Sequence, residues 1–416
     1  MTRHPAFLKL WAASAMSDVG SQVSTLALPL IAALTLDATA WQMGLLSAAG
    51  SAPVLLVGLL TGVWVDRRRR QPVLIATDLG RAILLSTVPL ASALGVLRID
   101  LLYVVTLLVG TLTVLFGVAH MSFVPSLLER ERLVEGNSKL EATTSVAQVA
   151  GPGLGGVLVG VLGAPLAVLV DALSFLGSAL VIAKIRVSEA SPVTAPGRAG
   201  VLAEIGEGLR VVRRQPILLV LAGCSATTAL FGAMFLAVYV LYMTRDLGLG
   251  AAAIGLVFAT GGLGALAGAL GAAAAARRFG PGPAMLGAQL LFGLAGIAVP
   301  LAVLVPRVAL ALVVASEFAQ WMTFVAYRVN ALSVRQAITP DRLQGRVNAT
   351  MRFLIGGAFP IGAVIGGALG GAIGVPLTLA VASLGTLLPC LWLLQSPVRR
   401  LRTLPMVEPA GPALAM

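Results

Sequence analysis

Two carboxylic acids, Asp18 and Glu317, stand in stretches otherwise too apolar to hold a charge. An ionisable group at membrane depth costs several kcal/mol, so each marks a candidate site for a substrate cation or a coupling proton. Counting about 1.5 Å per residue from the start of its apolar segment, Asp18 lies about 15 Å in, near a bilayer midplane. Glu317, about nine residues into its own segment from the opposite side, reaches a similar depth.

Other polar groups invite plainer roles. Asp78 and Arg81 are three residues apart, share a helical face and can neutralise one another as a structural pair. Asp171, with Ser174 one turn on, suits polar packing between helices, although a site role stays open. His120, near the end of its segment, is a polar residue first and a proton relay second. Arg328 and Arg352 fall toward the cytoplasmic ends of their segments, where they can snorkel or join a gate. Trp11, Gln22, Gln42, Met43, Met121, Trp321, Met322 and Tyr327 are candidates for an adaptable apolar pocket, though core packing is the commoner fate of each. Cys224 and Cys390 lie far apart inside apolar segments and give neither a disulfide framework nor metal-ligand spacing. With two histidines, no paired-His motif and no nucleophile elbow, no enzyme chemistry or metal centre is expected. None of Lys9, Lys139 and Lys184 follows Gly in a phosphate-cradling loop, so the energy source must be a gradient rather than ATP, and no cofactor is expected.

The elements that hold these groups follow from composition. At 58% hydrophobic and 11% charged residues, with a mean hydropathy of +0.96, the chain has too little polar surface for a soluble domain, in which roughly 25% of residues are charged. Twelve apolar segments fall at approximately 8–36, 41–65, 72–96, 101–124, 139–162, 164–185, 216–243, 251–276, 283–305, 308–332, 347–371 and 375–395. Lipid offers no partner to backbone groups, so each is read as a helix. The first run exceeds a signal-peptide core and is read as a span rather than a removed leader. The net charge of +12 raises the question of nucleic acid, yet the basic residues track the membrane. With a cytoplasmic amino terminus, all but six of the 29 fall in cytoplasmic segments; Arg98, Arg245 and Arg307 lie outside, and Arg81, Arg328 and Arg352 within or near spans. That asymmetry predicts two cytoplasmic termini in a bacterial inner membrane and leaves nucleic acid no role.

Ser188 to Gly200 is rich in Ser, Pro, Ala and Gly and reads as a linker. After it, Val201, Leu202, Ile205, Leu209 and Val212 recur at helical spacing opposite Glu204, Glu207, Arg210 and Arg213, the pattern of a helix lying on the membrane face or solvated in the linker. The expected division is therefore a six-helix bundle over 1–187, a linker with this helix over 188–215, a second bundle over 216–398 and a tail over 399–416. The halves also repeat. Arg132-Leu133 precedes Asn137, followed by Gly151 and Gly155-Gly156. Arg342-Leu343 precedes Asn348, with Gly362 and Gly366-Gly367 at the same offsets, 211 positions on. Both copies start from the cytoplasmic side, so the halves are parallel.

Three sets of residues carry a family resemblance. Gly62-Val-Trp-Val-Asp66-Arg67-Arg68-Arg69-Arg70 resembles the G-x-x-x-D-R-x-G-R-K loop of the major facilitator superfamily, with Arg69 replacing the second Gly and Gln71 the last basic residue. Asp66 can sit against a helix N-terminus while Arg70 reaches an acid nearby, Glu129 or Glu131, and so latch the cytoplasmic side. Ala147-Gln-Val-Ala-Gly151-Pro152-Gly153-Leu154-Gly155-Gly156 resembles the G-x-x-x-G-P-x-x-G-G signature of exporters and proton antiporters. Its glycines permit close helix approach, and Pro152 removes a backbone donor and can bend the span. Asp78-Leu-Gly-Arg81, Val170-Asp171-Ala-Leu-Ser174-Phe175, Glu207-Gly208-Leu209-Arg210 and Gly345-Arg346-Val347-Asn348-Ala349 resemble the enterobactin-exporter-like and macrolide-efflux-like branch.

The resemblance implies an all-α membrane protein of 12 transmembrane helices in two parallel six-helix halves. In that fold, spans one, four, seven and ten line a central cavity, which places Asp18 and Glu317 on cavity helices. It further implies proton-coupled export of a small hydrophobic or amphipathic molecule, such as a drug-like compound, macrolide or siderophore, by a monomer in contact with lipid. A metabolite importer is the alternative, followed by a receptor or scramblase on the same fold.

Overall fold

The computed structural model describes residues 4–403 apart from 59–60, 62–63, 66, 130–131 and 188–200; at 134, 201–205, 207–208 and 341–342 it describes the backbone alone. Gly62, Asp66, Glu131, most of the linker and the tail from 404 onward lie outside the described residues, as do the side chains of Glu204 and Glu207.

Among the described residues the chain is helical, with no strand. In order, the helices are α1 Pro5–Leu30, α2 Ala40–Leu56, α3 Arg70–Ala93, α4 Ile99–Leu127, α5 Leu133–Leu162, α6 Ala164–Ala183, α7 Val201–Arg214, α8 Pro216–Leu241, α9 Ala251–Phe279, α10 Pro281–Leu301, α11 Ala309–Ile338, α12 Asp341–Ile373, α13 Val375–Gly385 and α14 Pro389–Leu394. Among the described residues, ten stretches are long and apolar enough to cross a membrane. Neither α1 nor α2 is among them. The middle of α1 carries Ser14, Ser17, Asp18, Ser21, Gln22, Ser24 and Thr25, and α2 runs for 17 residues before the undescribed positions.

Helix ends depart from the apolar runs for physical reasons. α11 continues to Ile338 and α12 starts at Asp341, because a polar helix surface is stable where it meets water. The last apolar segment breaks between α13 and α14. Pro389 has no backbone N–H to donate, and the chain tightens there into i→i+3 bonds such as Leu387 N to Leu384 O, 3.0 Å.

The chain forms two compact units, Met1–Gly197 with Leu236–Ala259 and Ala363–Val375, and Arg198–Phe235 with Thr260–Gly362 and Pro376–Met416. In the first, α1 packs on α5 and α6, α3 on α4 and α6, and α2 on α4, around a core that includes Phe7, Leu10, Leu74, Phe123 and Ile182. Lys9 Nζ donates to Lys184 O at 2.8 Å, and Gln71 Nε2 donates to Ile182 O and Ile185 O at 2.9 and 2.8 Å. These bonds add side-chain donors to carbonyls at the end of α6, where the helical ladder runs out. In the second unit α10 packs on α11 and α14, around Leu221, Cys224, Met285, Tyr327, Met351 and Leu393. Gln289 ties three elements there, donating to Thr228 Oγ1 at 3.1 Å and Thr386 O at 3.3 Å.

The 211-residue repeat reappears in three dimensions inside the first unit. Helix α1 ends in a π-turn over Ile31–Thr35, with Leu36 N bonded to Ile31 O at 3.1 Å and Ala38 N to Ala32 O at 2.8 Å. Helix α8 ends in the same turn over Tyr242–Asp246, with Leu247 N to Tyr242 O at 3.1 Å and Leu249 N to Met243 O at 2.8 Å. The second residue after each turn is left-handed: Asp37 at φ 48° and Gly248 at φ 64°. Asp37 pairs with Arg245.

Two helix crossings obey the same displacement. Gly44 of α2 meets Gly367 of α12, and Gly255 of α9 meets Gly156 of α5. A Cβ on Gly156 would come within 2.5 Å of the Gly255 Cα, and one on Gly44 within 2.6 Å of the Gly367 Cα. Because the obstacle is backbone, no side-chain rotation relieves it. Gly156→Leu is expected to lower the stability of the detergent-solubilised protein by about 1–3 kcal/mol through overpacking. A thermal midpoint equal to that of the unsubstituted protein would show that the crossing tolerates bulk.

Candidate functional site

The first unit holds charge deep in its interior. Asp78 and Arg81, three residues apart on α3, form an ion pair buried on all sides. Ser178 of α6 donates to the second Asp78 oxygen at 2.6 Å. The Arg81 guanidinium lies 4.4 Å from the ring centroid of Phe116 and 4.0 Å from that of Phe175, where ring quadrupoles favour a cation. Its Nε–H has no hydrogen-bond partner among the described residues. One face of a permanently charged group is thus unsaturated, which is uncommon in a well-packed interior.

Two more acids stand within electrostatic reach of Arg81: Asp171 of α6 and Asp18 of α1. Asp171 is 1% exposed and accepts from Ser174 Oγ at 3.2 Å. Asp18 is half-buried and accepts from Thr144 Oγ1 of α5 at 2.7 Å. Gly20 of α1 makes this arrangement possible, since a Cβ there would stand 2.6 Å from Asp171 Oδ1. Three carboxylates therefore act on one guanidinium, with Asp78 bonded to it and the other two at longer range.

Beside Asp171 opens a cavity of about 450 Å³. Leu28, Met43, Leu46, Leu85, Val109 and Phe175 give it apolar walls, and Ser21, Ser24, Thr25, Ser47, Thr106 and Thr113 supply hydroxyls. Asp171 is the single charged residue among those lining it. The Ser24 hydroxyl stands beside the Asp171 carboxyl, and the buried Thr106 hydroxyl has no hydrogen-bond partner among the described residues. An apolar enclosure with a few convergent polar groups is the common form of a small-molecule site.

The remaining candidate residues are distributed around this centre and away from it. His120 Nε2 lies 3.0 Å from Ser14 Oγ, and its ring stacks on Phe116 at 5.7 Å. Glu317, 3% exposed, is in the second unit, where Trp321 Nε1 donates to its Oε1 at 2.8 Å. Trp321 also meets Phe324 edge-on at 5.7 Å. Glu317 and Asp18 thus belong to different compact units. Arg328 is exposed on α11.

In the loop motif, Arg67 is exposed, Arg68 lies 5.2 Å from the Trp64 ring centroid, and Arg70 begins α3. Glu129 stands 4.0 Å from Arg132. Gly62, Asp66 and Glu131 are among the positions outside the described residues. In the glycine-rich segment of α5, Gly151 and Gly155 are where α1 comes closest: a Cβ on Gly151 would stand 2.6 Å from Gln22 Cγ, and one on Gly155 3.3 Å from Val23 Cα. Pro152 lies inside the same helix, with its carbonyl facing Gly255.

Sequence reasoning passed over the hydroxyls. Ser21, Ser24 and Thr25 fall at three- and four-residue spacing on α1, a polar stripe through an apolar segment that could have singled them out. Thr106 and Ser178 are lone hydroxyls in apolar helices and give no such signal. Removing Asp78, as in Asp78→Ala, would leave Arg81 buried without its counter-ion and is expected to cost about 3–5 kcal/mol of stability. Chemical denaturation of the detergent-solubilised protein would measure it, and a change under about 1 kcal/mol would show the pair to be dispensable.

Comparison with known proteins places this geometry. The sequence profile of the transmembrane secretion effector family matches residues 2–410. The multidrug efflux pump Tap of Mycolicibacterium fortuitum is 30% identical over 412 residues, covering 93% of this chain and 94% of that protein. Tap of Mycobacterium tuberculosis (strain ATCC 25618 / H37Rv) is 29% identical over 400 residues, covering 92% and 91%. Among solved structures, a bacterial homologue of the iron transporter ferroportin superposes with a TM-score of 0.74 at 17% identity, covering 94% of this chain and 98% of that one. A bacterial homologue of the lysosomal transporter Spinster superposes with a TM-score of 0.71 at 15% identity, covering 96% and 98%. At such identities these structures speak to the fold alone.

Proposed function

Because the chain belongs to the transmembrane secretion effector family of the major facilitator superfamily, we propose that it is a secondary transporter that exports small hydrophobic or amphipathic molecules across a bacterial inner membrane. The observation that carries this reading is the cavity beside Asp171, whose apolar walls, scattered hydroxyls and single acid suit such a cargo. The relatives named as multidrug efflux pumps support the direction of transport. So does the Gly151-Pro152 segment of α5, with its resemblance to exporter sequences.

In this reading the chain crosses the membrane twelve times in two parallel six-helix halves, 1–187 and 216–398, joined by a linker over 188–215, with both termini and the 399–416 tail in the cytoplasm. The arginine-rich loops supply the orientation. α1 and α2 count as spans despite their polar and short sequences, because α1 lies against α5 and α6 and can bury its hydroxyls there. The protein works as a monomer among lipids, without cofactor or nucleic acid, and draws its energy from the proton gradient.

Asp18 and Glu317 are the coupling acids of this proposal. Asp18 accepts from the neutral Thr144 hydroxyl and Glu317 from the neutral Trp321 indole. A neutral donor tolerates both the protonated and the charged carboxyl, which a coupling site must visit in turn. The loop Gly62 to Arg70, with Glu129 and Glu131, acts as the cytoplasmic gate.

Everted membrane vesicles energised with a proton gradient are expected to accumulate dyes or drugs that the intact cell excludes. Uptake into whole cells that collapses with a protonophore would instead identify an importer. Asp18→Asn and Glu317→Gln are each expected to abolish gradient-driven movement while leaving insertion intact; undiminished transport in both variants would remove these acids from the mechanism. Comparing a deletion strain with an overexpressing one across antibiotics, siderophores and dyes would then identify the cargo class.

A further inference from the structure

A groove of about 400 Å³ opens on the exposed side of α7, lined by Gly206, Leu209, Arg210, Arg213 and Arg214. The arginines stand at three- and four-residue spacing, so one face of the helix carries all three guanidiniums. Like charges at that spacing repel one another, and among the described residues no acid pairs with any of them. Glu204 and Glu207 come earlier in the helix, whereas the arginines crowd its end. Such a face is short of negative charge.

The opposite face fixes where the groove lies. Val212 is fully buried and shares a core with Leu218, Val334, Val347 and Val398, which seats α7 on the second unit. Gln215 N donates to Val211 O at 3.1 Å and Leu219 N to Gln215 O at 3.1 Å, so the chain passes from α7 into α8 almost without a break. With α8 begins a stretch long and apolar enough to cross a membrane, Pro216–Asp246. At about 1.5 Å per residue, the three arginines fall within about 9 Å of its start. That is the depth of the headgroup layer, roughly 5–8 Å thick on each side of the hydrocarbon. Leu209, exposed next to them, adds an apolar edge to the groove.

We propose that Arg210, Arg213 and Arg214 bind the phosphodiester of an anionic glycerophospholipid, with Leu209 against its glycerol and upper acyl chain. A guanidinium is weakly hydrated and presents a fork of N–H donors that matches two phosphate oxygens at once. A zwitterionic lipid carries its own cation beside the phosphate and gains less from three arginines; an anionic one relieves their mutual repulsion. Arg399 and Arg400 provide the contrast. They are exposed on the short turn Pro397–Arg400, whose Val398 belongs to the same core as Val212, yet they lie outside the groove.

Acyl-labelled fluorescent phosphatidylglycerol and phosphatidylcholine, titrated into the purified full chain in a non-ionic detergent and followed by anisotropy, test the site. Phosphatidylglycerol is expected to bind at least about tenfold more tightly than phosphatidylcholine. Arg210→Gln combined with Arg213→Gln is expected to cut phosphatidylglycerol affinity at least about fivefold and to leave phosphatidylcholine within about twofold. Arg399→Gln combined with Arg400→Gln removes the same charge from the same end of the unit and is expected to leave both lipids within about twofold. Arg213→Gln alone, with an expected loss of at least about threefold, decides the matter if the groove variant does not elute as a monodisperse protein. Equal losses from the two double variants would reduce the effect to diffuse attraction and overturn the site. No preference for phosphatidylglycerol, or undiminished affinity in the groove variants, would overturn it as well. Displacement of the lipid by inorganic phosphate at comparable concentration would identify a soluble anion as the ligand, against the proposal. The site depends on α8 being a span and not on the direction of transport, so a failure to export from everted vesicles would refute the proposed function and leave lipid binding standing.

Discussion

Charge without water is the condition to which the N-terminal unit is built. Arg81 cannot shed its charge, and its burial among α3, α4 and α6 is tolerable only with Asp78, Ser178 and two aromatic rings around it. Once those partners are fixed, so are the rotations of the three helices that carry them. α1 comes close to α6 at Gly20, and the acid that lines the neighbouring cavity, Asp171, is not the one bonded to the guanidinium. The same economy governs the backbone. Where α6 ends, its carbonyls are met by Lys9 and Gln71 from two other helices, so the end of one element sets the spacing of its neighbours.

Close approach is the second constraint. Lipid gives helices no hydrophobic incentive to associate, so contact must come from shape. The paired glycines at 44 and 367, and at 156 and 255, let two crossings come together at backbone distance. That both pairs obey one displacement along the chain ties a packing detail to the duplicated design. A glycine-rich segment in a membrane helix is thus informative in proportion to what it faces: Gly151 and Gly155 face α1, and Gly156 faces another glycine.

Much of this was legible in the residues themselves, and the reasons for the rest are specific. Helices could be read from apolar runs because a bilayer leaves the backbone no alternative. Their ends could not, since α5, α11 and α12 extend into polar sequence. The repeat was visible around Asn137 and Asn348, whereas the π-turns at 31 and 242 were not, because nothing in Ile-Ala-Ala-Leu-Thr and Tyr-Met-Thr-Arg-Asp looks alike. Acids at membrane depth stood out individually. That Asp78 and Asp171 share one arginine with Asp18 depends on which faces of α1, α3 and α6 meet, and that is a property of the packed bundle rather than of any local pattern. The hydroxyls of the cavity were hidden for a similar reason: a serine in an apolar helix bonds to its own backbone as readily as to a ligand, and only its burial beside Asp171 distinguishes Ser24.

The two π-turns have a consequence for how the halves have drifted apart. Glycine occupies the left-handed position after the second turn at little cost, while Asp37 occupies the first at roughly 1–2 kcal/mol for an ordinary side chain, less for an aspartate. What the first copy gains is a carboxylate that Arg245, within the second turn, can hold. A duplicated sequence begins as two interchangeable parts, and this exchange of a glycine for an acid ends that interchangeability. From there on the two turns are unequal partners: the first supplies the acid, the second the arginine that holds it.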